Sequence, residues 1–203
     1  MIKSPSNTRA RALAIAQDQL RDGGYDALNF VPIAAELGTT RTNIHHHFQS
    51  KERLALEATI DYIETSLQAT RQLRLKLDPD FPAYAAQIEE HTLSALRGKH
   101  RGRACICLQL LNGDRVPDEL VRVSSEFLAT KLDIMTGIAS SARDAGILKP
   151  CSDPAVIAAR ISALIYGMAQ MGQWTSKPRK LADSLLGSTA AFLQPYVDKT
   201  NHG

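Results

Sequence analysis

Between Asn29 and Lys51 the chain encodes two short helices and the turn that joins them. Ile33 and Leu37 stand four residues apart and share a helical face; Ile44 and Phe48 repeat the spacing after a break. Gly38 sits in the break, where a left-handed residue ends a helix at little steric cost. Thr39 and Thr40 follow, each able to cap the next helix through its hydroxyl. Neither helix is long enough to persist alone in water, so the four apolar side chains must be buried against other elements. Pro32 falls in a first turn, where its missing N–H removes no bond, and Asn29 precedes it as a cap. Two helices joined this way form a helix-turn-helix, whose second helix is the element offered to a DNA major groove.

The rest of the chain reads as helix too. Ala, Leu, Arg, Gln, Glu and Lys dominate, and no alternating Val/Ile/Thr run suggests a strand, so the expected fold class is all-α. With 203 residues and 44% hydrophobic content it can bury a real core. No run of eighteen apolar residues occurs, and the first residues lack the apolar stretch of a signal peptide, so the expected location is the cytoplasm, with no membrane partner. Three cysteines, Cys105, Cys107 and Cys151, fit a reducing compartment. A net charge of +3 permits nucleic-acid binding without demanding it.

Taken in order, a first helix over Thr8–Arg21 buries Leu13, Ala16 and Leu20 and stops at Gly23-Gly24. Thr8 and Arg9, at its start, face either solvent or phosphate. A long helix from Lys51 to about Leu75 carries Leu56, Ile60, Ile63 and Leu67 as its core stripe and crosses from one domain to the next. Helices over Phe81–Leu96 and Ala104–Leu111 flank the basic, glycine-broken run Arg97–Arg103, which reads as a solvated connection, with a second phosphate patch as the alternative. Pro117 opens a helix that Gly146 closes. Asp153-Pro154 caps and starts another, running to Trp174 and apolar nearly all round. A last helix spans Pro178–Tyr196. These final two are too apolar for a monomer's exterior and are expected to form a homodimer interface through residues 153–174 and 178–196, as a four-helix bundle; completion of an intrachain core is the alternative.

The stretch Gly38-Thr-Thr-Arg-Thr-Asn-Ile-His-His-His-Phe-Gln-Ser-Lys-Glu-Arg-Leu54 resembles the recognition-helix signature of TetR-type transcriptional regulators. His45 departs from it, standing where most members carry Tyr. The resemblance implies an N-terminal three-helix DNA-binding domain over residues 1–52 and a helical effector-binding and dimerisation domain over residues 53–203. It also implies dimerisation through the last two helices. By the same resemblance His45, His47 and Lys51 approach the DNA backbone, and Asn29 stands where a capping Ser or Thr often bonds phosphate.

On a helical wheel with Ile44 and Phe48 inward, Thr42 and His46 point nearly opposite, flanked by Asn43 and His45, with Arg41 and His47 at the edges. Arg41 is the best base reader, because its guanidinium can give two bonds to a guanine edge. Thr40 and Thr42 suit phosphate or a thymine methyl. The expected DNA-binding set is therefore Asn29, Thr40, Arg41, Thr42, Asn43, His45, His46, His47 and Lys51. Successive helical residues diverge by about 100°, so the three histidines cannot converge on one ion, and neither metal nor cofactor is expected. Cys105 and Cys107 are poor disulfide partners at i and i+2; packing as small hydrophobes is preferred over a sensing role. Tyr62, Cys105, Phe127, Met168 and Trp174 are the candidates to line an effector pocket. No nucleophile elbow, phosphate loop or zinc-protease motif is visible, so no enzyme is expected. The reading is a one-component repressor that binds a pseudo-palindromic operator as a dimer and is released by an apolar small-molecule effector. Two rivals are a partner-binding protein without DNA specificity and an unrecognised helical enzyme.

Overall fold

A computed structural model describes residues 5–98 and 105–198. Regular structure among them is helical: α1 (Pro5–Ala27), α2 (Phe30–Leu37), α3 (Arg41–Phe48), α4 (Lys51–Leu77), α5 (Phe81–Arg97), α6 (Ile106–Leu111), α7 (Asp118–Asp144), α8 (Pro154–Trp174), α9 (Pro178–Leu185) and α10 (Ser188–Leu193). A lone antiparallel bridge joins Leu148 to Val197. The chain is all-α, as its composition requires. Most of the basic run Arg97–Arg103, from residue 99 on, lies outside the described residues. Contacts divide the chain into two compact units, residues 1–66 with 105–128 and residues 67–104 with 129–203.

The first unit is built on α1. Ala12, Leu13, Ala16 and Leu20 are buried along it, and Gly23 and Gly24 leave helical geometry, with Gly24 at φ 65. The expected stop is there, and one further turn runs on to Ala27. Against α1 pack Ile33 and Leu37 of α2, Ile44 and Phe48 of α3, Leu54, Ala55 and Ala58 of α4, and Ile106 and Leu110 of α6. The expected stripe on α4 needs correction. Ile60 is exposed and Leu56, Ile63 and Leu67 are only half-buried, whereas Leu54, Ala55, Ala58 and Thr59 are fully buried. Small side chains let this helix approach its neighbours closely, and an apolar count undervalues them.

In the second unit Phe81, Tyr84, Leu93 and Leu96 of α5 pack with Met135 and Ile138 of α7, Ile157, Ile161 and Met168 of α8, and Leu193 of α10. Asp153 caps α8 by accepting from the N–H groups of Ala155 (2.9 Å) and Val156 (3.3 Å), with Pro154 following. By length and composition α8 could cross a membrane, yet one of its faces is buried in this unit. Its other face is not: Ala155, Val156, Ala159, Ala163, Gly167, Met171 and Trp174 are exposed. The last helix, expected to be continuous from Pro178 to Tyr196, is broken into α9 and α10 at Leu186-Gly187. Gly187 takes φ 84. The buried carboxylate of Glu89 on α5 accepts from the N–H groups of Gly187 (2.5 Å) and Thr189 (2.6 Å), replacing the bonds that a continuous helix would supply.

Two predictions follow from these packing facts. Replacing Glu89 by Ala leaves those two N–H groups without their acceptor and should cost about 1–3 kcal/mol in urea unfolding. Burial pushes the Tyr84 phenol up to about 12, against a smaller opposing pull from Arg74. Its folded pKa lies above its unfolded one, so its contribution is intact below pH 10 and is lost as pH rises from about 10 to 12. Alkaline titration followed by tyrosinate absorbance and circular dichroism should show late phenol ionisation coinciding with unfolding.

Candidate nucleic-acid interface

The starts of α2, α3 and α4 are each fixed by a local polar contact. Asn29 caps α2, its side-chain oxygen accepting from the Val31 N–H at 2.9 Å, while its own N–H donates to Gln19 (2.9 Å). Gly38 ends α2 at φ 63, ψ 42, and the Gly38 and Thr39 N–H groups close onto the carbonyls of Ala35 and Ala34. Thr40, extended at φ −101, caps α3 by accepting from the Asn43 N–H at 3.2 Å. The Asn43 side chain donates back to Thr39 Oγ1 at 2.9 Å. After Phe48, Gln49 takes φ 62, a region that side-chain-bearing residues rarely visit, and its N–H donates to the His45 carbonyl. Ser50 then caps α4 by accepting from the Arg53 N–H at 3.0 Å.

These caps bring four of the expected residues to one place. Asn29, Arg41, His45 and Lys51 line a shallow cleft of about 350 Å³, together with Leu28, Phe30, Gln49 and Ser50. The His45 ring meets Phe30 edge-on at 6.0 Å. Lys51 lies 4.6 Å over the Tyr25 ring and its Nζ donates to the Asp26 carbonyl at 3.3 Å. Burial raises the Tyr25 phenol pKa, with smaller contributions from Glu52 and Asp26. Two cations and an imidazole around a concave polar surface, fringed by amide and hydroxyl groups, suit a phosphate.

The other five expected residues lie outside the lining of that cleft. Thr40, Thr42, Asn43 and His46 are exposed and His47 is half-buried. Thr40 and Asn43 are partly committed to the turn. Gln49 and Ser50 were not among the expected contacts, although Ser50, just before Lys51-Glu52, carries the ordinary signature of a helix cap. Arg9 stays exposed, while its guanidinium pairs with Glu57 at 2.5 Å and lies 5.4 Å from the Phe48 ring centroid. It braces α1 against α3 and α4.

Of the effector candidates, Tyr62, Cys105 and Phe127 stand together in the first unit. The Tyr62 and Phe127 rings are 5.9 Å apart. Burial raises the Tyr62 phenol well above its ordinary range, and the adjacent Cys105 and Cys107 thiols add to this. The Arg21 guanidinium, 5.5 Å from the ring centroid, pulls the other way. Met168 is buried in the second unit's core and Trp174 is 80% exposed. None of the three cysteines forms a disulfide. Among the described residues no group of His, Cys, Asp or Glu is arranged to hold a metal ion.

Helix-turn-helix geometry with a basic cleft defines a class of regulatory proteins, and comparison with known proteins makes it narrower. Residues 12–58 match the family model for bacterial regulatory proteins of the tetR family. The chain thus carries a TetR-family N-terminal domain, and its fold as a whole is that of solved TetR-family regulators. One such regulator, from Agrobacterium tumefaciens, superposes with a TM-score of 0.81 at 17% identity, covering 96% of this chain and 100% of that one. A candidate transcriptional regulator from Saccharomonospora viridis in complex with choline gives 0.81 at 21% identity, with coverages of 96% and 100%. SmeT in complex with triclosan gives 0.75 at 20% identity, with coverages of 96% and 93%. No curated protein matches the chain in sequence.

The packing separates residues that hold the fold from residues that the fold displays. Phe48→Ala should cost about 3–5 kcal/mol and Thr40→Ala about 1 kcal/mol. Arg41→Ala, at an exposed site, should stay within about 0.5 kcal/mol of the parent. Urea denaturation of the three variants checks the order.

Proposed function

We propose that this chain is a one-component transcriptional repressor that binds a pseudo-palindromic operator as a homodimer and leaves it when a small molecule binds. The observation that carries the reading is the cleft shared by Asn29, Arg41, His45 and Lys51 at the junction of three helix starts. In this assignment the cleft seats backbone phosphate and sets register. Arg41, at the first position of α3, also reaches a base edge, with Thr42, Asn43 and His46 beside it in the groove and Thr40 and His47 at the rim. The protein acts by binding and not by catalysis, and it works in the cytoplasm.

The exposed small-residue face of α8 supports dimerisation, because Ala159, Ala163 and Gly167 allow a second copy's helix to approach closely. Two recognition helices related by a twofold axis would read half-sites about 34 Å apart. Effector contact is assigned to Tyr62, Cys105 and Phe127, whose polar and aromatic groups already meet. The choline and triclosan complexes of proteins with this fold support a small-molecule effector without identifying it. Whatever it is, it can shift the dimer only by the difference in its affinity for the two states.

Anisotropy titrations on a tight-binding duplex and its single-base variants test the DNA assignment. Arg41→Ala should relax discrimination at one base position by about 1–3 kcal/mol, and Lys51→Ala should weaken every duplex alike. Unchanged profiles for both would remove the assignment. Ala163→Arg should shift the protein towards monomer in light scattering; a dimer of parental strength would place the interface elsewhere.

A further inference from the structure

The second unit carries a basic cleft that neither DNA reading nor effector release uses. It measures about 680 Å³ and is lined by Leu96, Arg97 and Gly98 at the end of α5 and by Ser176 to Lys180 at the start of α9. Four of the lining residues are cationic, Arg97, Lys177, Arg179 and Lys180, and none is acidic. Arg97 is held in the wall by Glu90 (3.3 Å) and Asp183 (3.2 Å). Lys177, Arg179 and Lys180 are exposed and make no ion pair among the described residues. Even with both carboxylates set against Arg97, two positive charges remain in surplus. Like charges gathered in a concavity raise the local potential and favour an anion that spans several of them.

The backbone adds to this charge. Lys177 is the N-cap of α9 and its side chain gives no capping hydrogen bond. Leu181 is the first residue of the helix whose N–H is satisfied within it, by the Lys177 carbonyl. The N–H groups of Arg179 and Lys180 therefore have no intrahelical partner, in the turn that lines the cleft. Pro178 and Leu96 give the cleft a small apolar floor. Its volume falls in the range of small-molecule sites.

We propose that this cleft binds phosphate groups, with Lys177, Arg179 and Lys180 contacting the oxygens and Arg97 fixing one wall. The site does not depend on the helix-turn-helix being a DNA reader. Its phosphate can come from a free phosphorylated metabolite or from nucleic-acid backbone, and one experiment separates the two. Inorganic pyrophosphate is titrated into the full-length protein at constant, near-physiological ionic strength. Binding is followed by calorimetry and by fluorescence of Trp174, the only tryptophan, two residues before Ser176. The parent, the Lys177→Gln/Lys180→Gln double variant and Arg41→Ala are compared, with matched melting temperatures confirming that each is folded.

Saturable binding that weakens at least tenfold in the double variant would establish the site for free phosphate. Binding lost in Arg41→Ala and kept in the double variant would put the pyrophosphate in the first unit's cleft and overturn the proposal. Absence of pyrophosphate binding, with a slope of log affinity for DNA against log salt reduced by about two in the double variant, would assign it to nucleic-acid backbone. If neither quantity differs between the parent and the double variant, the proposal is overturned. Pyrophosphate binding by a protein that selects no DNA sequence would leave this inference standing while removing the regulator reading.

Discussion

The helix-turn-helix has no core of its own, and everything it displays depends on a borrowed one. Ile33, Leu37, Ile44 and Phe48 are buried in one cluster with Leu13 and Leu20 of α1, Leu54 of α4, and Ile106 and Leu110 of α6. Each such side chain contributes about 1.5–3 kcal/mol on full burial, which short helices like α2 and α3 need because their own hydrogen bonds cannot sustain them. Arg9 adds a polar brace, pairing with Glu57 of α4 while lying over Phe48 of α3. The exposed residues of α3 are thus carried on a rigid base, which a DNA-reading element requires.

The same packing explains why the polar groups converge. α2 and α4 begin near the start of α3, and each beginning is marked by a residue that caps it: Asn29, Thr40 and Ser50. Helix starts concentrate unsatisfied N–H groups and the positive end of the helix dipole. Arg41 and Lys51 sit at the first positions of α3 and α4 and add full charges to those partial ones. A phosphate would meet both kinds at once, so the cleft's chemistry comes from where the helices begin as much as from which side chains they carry.

How much of this could be read from the chain alone follows from the reach of each interaction. The caps and breaks at Asn29, Gly38, Asp153-Pro154 and Gly146 were legible, and the α3 cap was narrowed to Thr39 or Thr40, because each is decided within a few residues. The break at Gly187 was not, because the carboxylate that makes it tolerable belongs to Glu89, 98 positions away. The buried face of α4 was misjudged for a related reason: Ala55, Ala58 and Thr59 go inside and Ile60 stays out, which partner helices decide. Within the cleft, Arg41 and His45 follow from the wheel of α3. Their meeting with Lys51, anchored on the Asp26 carbonyl and the Tyr25 ring, is a tertiary fact. Arg9 is exposed, as a solvated face implies, but its pairing with Glu57, 48 residues on, is a tertiary contact that the local sequence does not show.

In the proposed function this surface recognises a particular DNA sequence with twofold symmetry. Selection of bound duplexes from a random pool, with the purified protein at near-physiological salt, tests it most directly. An inverted repeat whose half-sites are about one helical turn apart should be enriched. Binding that stays sequence-independent through successive rounds, with affinity falling steeply as salt rises, would contradict it.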